Sequence, residues 1–389
     1  MATNPRLGTY ATTTVAGEGV RAFLPPPLPP DPPLRFDHAL QDLLERANRG
    51  LGRLDGIARM FPDPQLFLYA YVRKEALLSS QIEGTQSSFS DLLLYETKEA
   101  PGVPLDDVEE VSHYVAAMNH ALKRLRGGFP LSLRLIRETH GILLSGGRGK
   151  PKAPGQFRRS QSWIGGSRPG NARFVPPPQE RLGDMMGQLE KFLHDDPVKT
   201  PVLIKAALAH VQFETIHPFL DGNGRVGRLL ITLLLCAEGA LAEPLLYLSL
   251  YFKAHRAAYY DLLQRVRTEG AWEAWLHFFL TGVAETTEQA TRTAQRIIRL
   301  FETDRAEIEE LGRPASSALR VYHALQQNII LSIPGAARRT KLSQPAVTKA
   351  FRNLERLGIV REKTGGRRNR LFVYQNYLKI LAEGTEPIR

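Results

Sequence analysis

The chain has 389 residues, a formal net charge of +11 and a sequence pI near 9.7. This length exceeds that of most single domains, so we expect two or three domains with a substantial apolar core. The one cysteine, Cys236, excludes a disulfide framework and a cysteine metal cluster. No apolar run reaches the ~20 residues that span a bilayer, and the start of the chain lacks the pattern of a signal peptide. We therefore expect a cytoplasmic protein with no membrane partner.

The first part of the chain is polar and then proline-rich, with seven prolines between Pro25 and Pro33. Such a tract is typical of an extended surface strap, and a proline-rich ligand for a partner is the alternative. From Phe36 onward, helical periodicity dominates. The helical segments are residues 64–83, 105–126, 131–144, 180–194, 202–216, 223–238 and 249–267, with one or two further helices over 271–311.

The sequence divides into five regions by composition and periodicity. They are an N-terminal arm over 1–34, a helical region over 35–100, a helical core over 101–290, a helical linker over 291–315 and a C-terminal domain over 316–389. The exception to the helical pattern is 155–178, where two short strand-like runs flank a Gly/Ser/Pro turn and predict a β-hairpin. An exposed strand there can pair with an extended segment of another protein, and an ordinary edge hairpin is the alternative.

Residues 217–228, which read HPFLDGNGRVGR, form a polar turn between an amphipathic run over 202–216 and the apolar run 229–235. Gly222, Asn223 and Gly224 stand where the second helix begins. Their unpaired amides and the positive end of the helix dipole converge on one point. The turn therefore predicts an anion site, which we call the anion cradle.

The charged residues of this turn fit a polyphosphate ligand. Arg225 and Arg228 are three residues apart on one helical face and can both reach phosphates. Asp221 is placed to hold a hard cation such as Mg²⁺. His217 can accept a proton near neutral pH. Separately, a flexible turn, an N-cap and a core histidine would explain these residues, and Thr232 excludes an EF-hand, which needs glutamate there.

The segment from Tyr71 to Gly84 ends a helix, with Gly84 as its C′ residue. Ser79 and Glu83 are four residues apart and share a helical face. A capping box that starts a helix at Ser80 is the alternative. A carboxylate in the last turn opposes the helix dipole, so we expect an arginine of the 217–228 motif to compensate it.

The motif resembles the signature of the Fic domain family, His-Pro-Phe-x-Asp/Glu-Gly-Asn-Gly-Arg-x-x-Arg, at every specified position. Gly155-Gln-Phe-Arg-Arg to Trp163-Ile-Gly-Gly resembles the family's flap, and the resemblance covers roughly residues 65–285. It implies a mainly α fold, namely a Fic-type helical domain with a β-hairpin flap. A C-terminal winged helix-turn-helix domain, described below, completes the expected fold class.

The resemblance implies a protein adenylyltransferase that moves AMP from ATP, with Mg²⁺, to Ser, Thr or Tyr hydroxyls of target proteins and of itself. His217 is then the general base, Asp221 the metal ligand and Arg228 a phosphate ligand that Glu83 blocks. The implied residue sets are the nucleotide-binding Gly222, Asn223, Gly224, Arg225, Arg228, Tyr259 and Tyr260, and the inhibitory Ser79, Glu83 and Gly84. The two tyrosines, assigned to the adenine by position in the family, fit a core-facing helix equally well. In the related Doc toxins a lysine replaces Gly224 and the reaction is phosphorylation.

Residues 336–370 contain eleven Lys or Arg against Glu355 and Glu362, a local net charge of +9. Helices are expected over 316–327, 335–342 and 343–357, followed by a basic hairpin over 361–374 that turns at Gly365-Gly366. This order resembles a winged helix-turn-helix, so we expect DNA as a partner. A module for protein contacts is the alternative. The residues expected to face DNA are Gln344, Thr348, Lys349 and Arg352 on the third helix and Arg367, Arg368 and Arg370 on the wing.

Two other functions fit the same sequence. One is a DNA-binding transcriptional regulator in which the Fic fold senses nucleotide. The other is removal of AMP from a modified protein, with Glu83 aligning a water molecule. The sequence leaves open whether two chains pair as a homodimer.

Overall fold

The computed structural model describes residues 6–15, 17–59, 64–97, 105–146, 151–365 and 370–388. In this part of the chain, helices predominate. The helices are α1 His38–Ala58, α2 Pro64–Ile82, α3 Phe89–Thr97, α4 Leu105–Arg126, α5 Leu133–Leu143, α6 Leu182–Leu193, α7 Val202–Ile216, α8 Asn223–Ala237, α9 Ser249–Ala254, α10 Arg256–Glu269, α11 Trp272–Glu309, α12 Ala315–Asn328, α13 Ile333–Thr340, α14 Gln344–Arg356 and α15 Gln375–Ala382. The strands are β1 Thr9–Val15, β2 Glu18–Leu24, β3 Ile330–Ser332, β4 Val360–Glu362 and β5 Leu371–Tyr374. None of the described helices is long and apolar enough to cross a membrane.

Helices α7 and α8 pack against each other in the centre of the molecule. All residues of α7 after Val202 are buried, so the amphipathic pattern expected for 202–216 is wrong. Several polar side chains of α7 find partners inside the protein; for example, the Lys205 ammonium lies 2.8 Å from both Asp195 and Glu238. Because α7 is covered on every side, the loop that joins it to α8 starts from a fixed helix end.

Helix α11 runs without a break from Trp272 to Glu309, roughly 57 Å at 1.5 Å per residue. It packs along α1 and also contacts α7, α12 and α15. Its buried face continues through Ala294 and Ile297. The expected boundary between a core that ends at 290 and a linker over 291–315 therefore falls inside one continuous helix. In contrast, the single helix expected over 249–267 is divided into α9 and α10 at His255.

The N-terminal arm is partly β-structure, which the sequence analysis did not predict. Strands β1 and β2 form an antiparallel hairpin in which Thr9 pairs with Leu24 and Val15 with Glu18. The proline-rich segment that follows lies on the helical body: the Arg6 guanidinium donates to the Pro32 carbonyl at 2.7 Å and binds Glu273 of α11 at 2.7 Å. The strand-like pattern of β1, which reads TYATTTV, was not recognised, because the whole arm was interpreted from its later proline-rich tract.

The β-hairpin expected over 155–178 is reduced to one isolated bridge, between Ile164 and Phe174. Gly165 and Gly166 have φ angles of 69° and 77°, and the prolines at 176–178 lack the N–H that a strand ladder needs. These features shorten the pairing and leave an irregular flap. Strand β2 extends it on one side, because the Phe23 amide donates to the Val175 carbonyl at 2.9 Å.

Residues 315–356 form three helices, α12 to α14, beside a sheet with the strand order β3-β5-β4. These helices agree with the expected bounds to within three residues. The hydroxyl of Ser343 accepts the Ala346 amide at 3.4 Å, as expected for an N-cap. The tip of the expected hairpin, including Arg367 and Arg368, lies outside the described residues.

This C-terminal part is not the separate unit that the sequence suggested. Helices α12 and α15 pack against α2 and α11, and β3 lies against α3. Leu325 and Leu381 belong to the same continuous hydrophobic core as the central helices. A linker near Gly312–Pro314 therefore joins segments that share one core.

A buried network of hydroxyl groups connects the C-terminal part to α11, and a substitution in it tests whether the two share one core. The Tyr374 hydroxyl donates to the Asp304 carboxylate and lies 3.0 Å from the Tyr322 hydroxyl. Tyr374→Phe leaves the 6%-exposed Asp304 without this donor. We expect it to lower the free energy of unfolding by ~1–3 kcal/mol, the usual cost of leaving a buried polar group unpaired.

The measurement is urea unfolding followed by tryptophan fluorescence, since all three tryptophans lie outside the C-terminal helices. Tyr377→Phe, a change in α15 whose hydroxyl does not join the network, is the matched control. If the two variants unfold at the same urea concentration, the shared core is wrong.

Candidate active site

The loop between α7 and α8 has a defined shape. His217 caps α7 in the left-handed conformation, with φ of 51°, and Gly222 precedes α8 with φ of 78°. The Asn223 side chain braces the loop from inside, because Oδ1 accepts the Phe219 amide at 2.9 Å and Nδ2 donates to the Phe219 carbonyl at 2.8 Å. The sequence predicts a role for the backbone of Asn223 alone. Its buried side chain also holds the loop in place.

Two further residues support the loop from outside. The buried Arg158 donates from Nε to the His217 carbonyl at 2.9 Å. The His140 ring lies with Nε2 at 3.0 Å from the Asp221 carbonyl, while its Nδ1 accepts the Gly155 amide at 2.9 Å. His140 thus joins the loop to the flap. Arg158 falls in the flap motif, whereas His140 had no signal beyond its position in a helical segment.

The buried guanidinium of Arg228 meets the end of α2. Its Nε donates to the Ser79 hydroxyl at 2.8 Å, and its Nη2 donates to the Ser79 carbonyl at 2.9 Å and to Glu83 Oε1 at 2.7 Å. Burial alone would lower the pKa of Arg228, but the charge of Glu83 outweighs it and raises that pKa above its ordinary value. The expected contact between Glu83 and an arginine of the motif is therefore present.

The local structure of α2 explains why Glu83 reaches this position. Helix α2 ends at Ile82, and Gly84 follows with φ of 105°, which only glycine adopts without strain. The alternative in which Ser80 starts a helix is wrong. Ser79 and Glu83 lie on the same face, as their spacing predicts, and that face is turned to Arg228.

The carboxylate of Glu83 lies over the start of α8. A methyl group added to Gly224 would come within 2.2 Å of Glu83 Oε1 and 3.0 Å of Arg228 Nη1. An anion therefore already sits at the helix N-terminus, held by the guanidinium of Arg228. The amide of Gly222 donates to Asp221 Oδ1 at 2.6 Å, so this amide of the predicted anion cradle is engaged by the chain itself.

Arg225 has different partners from Arg228, although both were expected to bind one phosphate chain. Its guanidinium lies 3.4 Å from Glu110 of α4 and 3.5 Å from the Asp221 carboxylate. The Asp221 side chain is 43% exposed. Among the described residues, no group of three or more histidine, cysteine or acidic side chains is arranged to hold a metal ion. One half-exposed carboxylate beside an anion site fits Mg²⁺, which takes few protein ligands and completes its shell with phosphate and water oxygens.

His217 lies in an environment that favours its neutral form. Burial lowers its pKa to about 3, and the neighbouring positive charges of Arg267 and Arg158 lower it further. The carbonyl of Glu214 and the charge of Asp221 oppose this shift. At neutral pH the imidazole is therefore uncharged.

Comparison with known families agrees with this arrangement. A model described as "Fic/DOC family N-terminal" matches residues 41–123, which include Ser79 and Glu83, and one described as "Fic/DOC family" matches residues 130–235, which include the whole 217–228 motif. Residues 41–123 and 130–235 thus match the two parts of the Fic/DOC family.

Curated Fic relatives resemble half of the chain. "Protein adenylyltransferase Fic" of Aedes aegypti is 34% identical over 218 residues, which cover 54% of this chain and 38% of that protein. The protein of the same name from Culex quinquefasciatus is 34% identical over 214 residues, with the same coverage. The matched part thus spans less than two-fifths of these relatives. A Fic family protein from Desulfovibrio desulfuricans shares the fold, with a TM-score of 0.57 and 18% identity, over 88% of this chain and 98% of that chain.

The two tyrosines assigned to the adenine of a Fic nucleotide differ in position. Tyr259 is fully buried, with its hydroxyl 2.8 Å from His210 Nε2, and its ring packs on Phe252 and Trp275. It is a core residue and cannot contact a nucleotide base. Tyr260 is partly buried, and Arg256 lies over its ring at 5.1 Å. Of the two tyrosines, only Tyr260 is exposed enough to contact a bound nucleotide base.

One further buried acid lies near the Fic motif and was not predicted. Glu214 of α7 packs against Gly227, where an added methyl group would lie 2.5 Å from its Oε1. Burial raises the pKa of Glu214 to about 7, although Arg228 opposes this shift. The sequence feature that could have identified Glu214 is its charge within the mostly apolar run of α7. The Arg228 guanidinium thus contacts Glu83 directly and is close enough to Glu214 for their charges to interact.

The neutral state of His217 can be measured directly. We expect its ring resonance, observed by NMR after selective ¹³C-histidine labelling, to keep its neutral chemical shift from pH 7.5 to pH 5, because the charged form is disfavoured by burial and by two arginines. An unperturbed histidine titrates near pH 6.5. His217→Ala identifies the resonance, and the urea-unfolded protein gives the unperturbed reference. A midpoint between pH 6 and 7 in the folded protein would show that the imidazole is open to solvent.

Proposed function

We propose that this chain is a protein adenylyltransferase that is inhibited by its own Glu83. The observation that carries the proposal is the Glu83 carboxylate, held at 2.7 Å by Arg228 over Gly224. A carboxylate bound by an arginine at a helix N-terminus marks a place where phosphate oxygens can bind. The names of the curated relatives support the same activity.

In this proposal the target hydroxyl oxygen attacks the α-phosphorus of ATP. The bond between that phosphorus and the oxygen that bridges to the β-phosphate breaks, and pyrophosphate leaves with the electron pair. His217 accepts the hydroxyl proton and later releases it to solvent. General base catalysis of this kind contributes ~10²- to 10⁴-fold to a rate. Small Gly224 leaves room for the α-phosphate beside His217.

Asp221 is the residue that would hold Mg²⁺ in this site. When bound, the ion would neutralise charge on the phosphate oxygens. Arg225 lies within 3.5 Å of the same carboxylate and limits how that carboxylate can turn. Arg228, once released by Glu83, would bind the terminal phosphates.

The strength of the Glu83 contact sets the degree of inhibition. A hydrogen bond between charged groups contributes ~1.5–3 kcal/mol. The Glu83 side chain is 37% exposed, so solvent screening favours the lower half of this range. At ~1.4 kcal/mol per tenfold change, we expect the contact to weaken ATP binding by about 10- to 30-fold.

We also propose that the flap holds the target protein. Trp163 of the flap and Leu220 of the motif loop are large apolar side chains that stay 38% and 40% exposed. Exposed apolar side chains beside a reactive site are typical of a protein-binding surface. Backbone pairing along the flap would place a hydroxyl with little demand on the target sequence.

The first test uses Glu83→Gly with ATP and Mg²⁺. We expect AMP to appear on the protein itself or on a protein of a cell lysate, at a rate about 10- to 30-fold above wild type, because Arg228 becomes free for phosphate. Mass spectrometry detects the adduct. In the same background, His217→Ala should reduce the rate by about 10²- to 10⁴-fold.

Glu83→Gln is the matched control for this test, because it keeps the side-chain volume and removes the charge. It should fall between wild type and Glu83→Gly. If Glu83→Gly modifies neither itself nor any lysate protein, adenylyl transfer is the wrong reaction. If the adduct forms without His217, the general base is another group.

A second candidate function, DNA binding, is favoured by the surface of α14. Gln344, Lys349 and Arg352 are exposed on this helix, and Thr348 is half-buried beside them. The buried side chains Val347, Phe351 and Leu354 fix the opposite face in the core. We propose that α12 to α14 with the sheet form a winged helix-turn-helix that presents α14 to the major groove.

DNA binding is tested with a random 30-base-pair duplex in a fluorescence anisotropy titration at several salt concentrations. We expect the double variant Lys349→Ala, Arg352→Ala to bind about 10- to 100-fold more weakly and with a log–log salt slope less steep by about 2, because each phosphate contact contributes about one unit. The control is the double variant Arg181→Ala, Lys191→Ala, which removes two exposed positive charges at the start and near the end of α6. If both double variants weaken DNA binding equally, net charge explains the effect and α14 is not the DNA-binding surface.

A further inference from the structure

The last described residues of the chain return to the end of α2. From the last residue of α15 onward, residues 382–386 run beside α2 and α9, and three buried or half-buried side chains donate to their backbone carbonyls. Lys74 Nζ donates to the Glu383 carbonyl at 2.8 Å, and Gln81 Nε2 donates to the Thr385 carbonyl at 2.8 Å. Lys253 Nζ donates to the Gly384 carbonyl at 3.3 Å and also to the Glu386 carbonyl. We call residues 382–386 the C-terminal segment.

Gln81 joins the C-terminal segment to the turn that carries Glu83. Its Nε2 donates to Thr385 and also to the Ser87 carbonyl at 3.0 Å, while its Oε1 accepts Lys253 Nζ at 2.7 Å. The Gln81 side chain is 1% exposed, so its orientation depends on these three partners. Two of these partners depend on the C-terminal segment. Thr385 belongs to it, and Lys253 donates hydrogen bonds to its carbonyls.

The backbone passes this constraint on to Glu83. The Glu83 amide donates to the Ser80 carbonyl at 3.0 Å, the Gly84 amide to the Gln81 carbonyl at 3.1 Å and the Thr85 amide to the Ser80 carbonyl at 3.3 Å. Ser80 and Gln81 thus hold the residues on both sides of Glu83. A turn fixed in this way presents the carboxylate to Arg228 with little further loss of conformational entropy.

The C-terminal segment has its own anchors elsewhere. The Thr385 side chain is 3% exposed, and the Glu383 carboxylate binds the Arg296 guanidinium of α11 through two contacts of 2.7 Å. The segment follows α15, which begins at the residue after β5. The basic C-terminal part and the Glu83 turn are therefore connected through a short, ordered stretch of chain.

We propose that the C-terminal segment, through Gln81 and Lys253, positions Glu83 on Arg228 and thereby sets the inhibition of the ATP site. Gln81 and Lys253 are positioning residues in this scheme, since they act through Glu83. A change in the C-terminal part that draws residues 382–386 away would loosen the turn and admit ATP. This inference rests on the proposed function, because it concerns the regulation of the same site.

The test uses the full-length chain with Lys253→Met, which keeps the length of the side chain and removes its contacts to Gln81 and to the segment. Amide hydrogen exchange at residues 82–85, measured without nucleotide, should become at least threefold faster than in wild type. Calorimetric titration should show ATP binding about three- to tenfold tighter, because Glu83 competes less well. In a Glu83→Gly background the same substitution should leave ATP affinity unchanged, since the competitor is gone.

Arg292→Met is the matched control, because it removes an exposed basic residue one turn away from Arg296 that pairs with Glu288 and not with the segment. Gln81→Leu serves as a second variant, with the same expected direction in both measurements. Unchanged exchange at 82–85 in Lys253→Met and Gln81→Leu would overturn the proposal, and so would tighter ATP binding that persists without Glu83. Failure of Glu83→Gly itself to bind ATP would reject the proposed function instead, while the exchange experiment would still decide whether the segment positions the turn.

Discussion

The buried charge of Arg228 is the constraint on which the site depends. Its side chain is 1% exposed, and a guanidinium removed from water must find acceptors and a counter-charge inside the protein. Ser79 supplies two acceptors from α2, and Glu83 supplies the negative charge from the end of the same helix. The contact thus joins the N-terminal helices to the central pair α7 and α8. A site that needs an anion for its own stability will also attract one from solution once its carboxylate moves.

Glu214 makes the charge balance around Arg228 adjustable. Burial raises the pKa of Glu214 to about 7, and the charge of Glu83 contributes to this rise while Arg228 opposes it. Departure of Glu83 would remove a negative neighbour and leave the positive charges of Arg228 and Arg267 to act on Glu214. The pKa of Glu214 would then fall, and its ionised form would compensate part of the exposed positive charge. Glu83 is therefore the acid that contacts Arg228 directly, and Glu214, fixed in the core, acts on it only through its charge.

The sequence predicted what short-range rules control. The start of α8, the helix end at Gly84 and the shared face of Ser79 and Glu83 follow from capping and helical spacing, which act over a few residues. The pairing of Glu83 with Arg228, 145 residues apart, is implied by the resemblance to the Fic family and not by these rules. The errors concern tertiary contacts. The orientation of Arg225 toward Glu110, the burial of Tyr259 against His210 and the shared core of the C-terminal helices depend on partners over a hundred or about fifty residues away. Periodicity shows which face of a helix is apolar and not what covers it.

Nucleotide binding would change the state of His217 in the direction that its proposed role needs. In the structure, burial and the charges of Arg267 and Arg158 hold its pKa near 3, so the imidazole is neutral and a weak base. A bound polyphosphate would bring negative charge into the same loop, which favours the protonated ring and raises this pKa. A base whose pKa rises toward the working pH when substrate is present accepts a proton more readily. The two arginines keep the ring uncharged in the absence of nucleotide, and the substrate itself supplies the charge that makes it a stronger base.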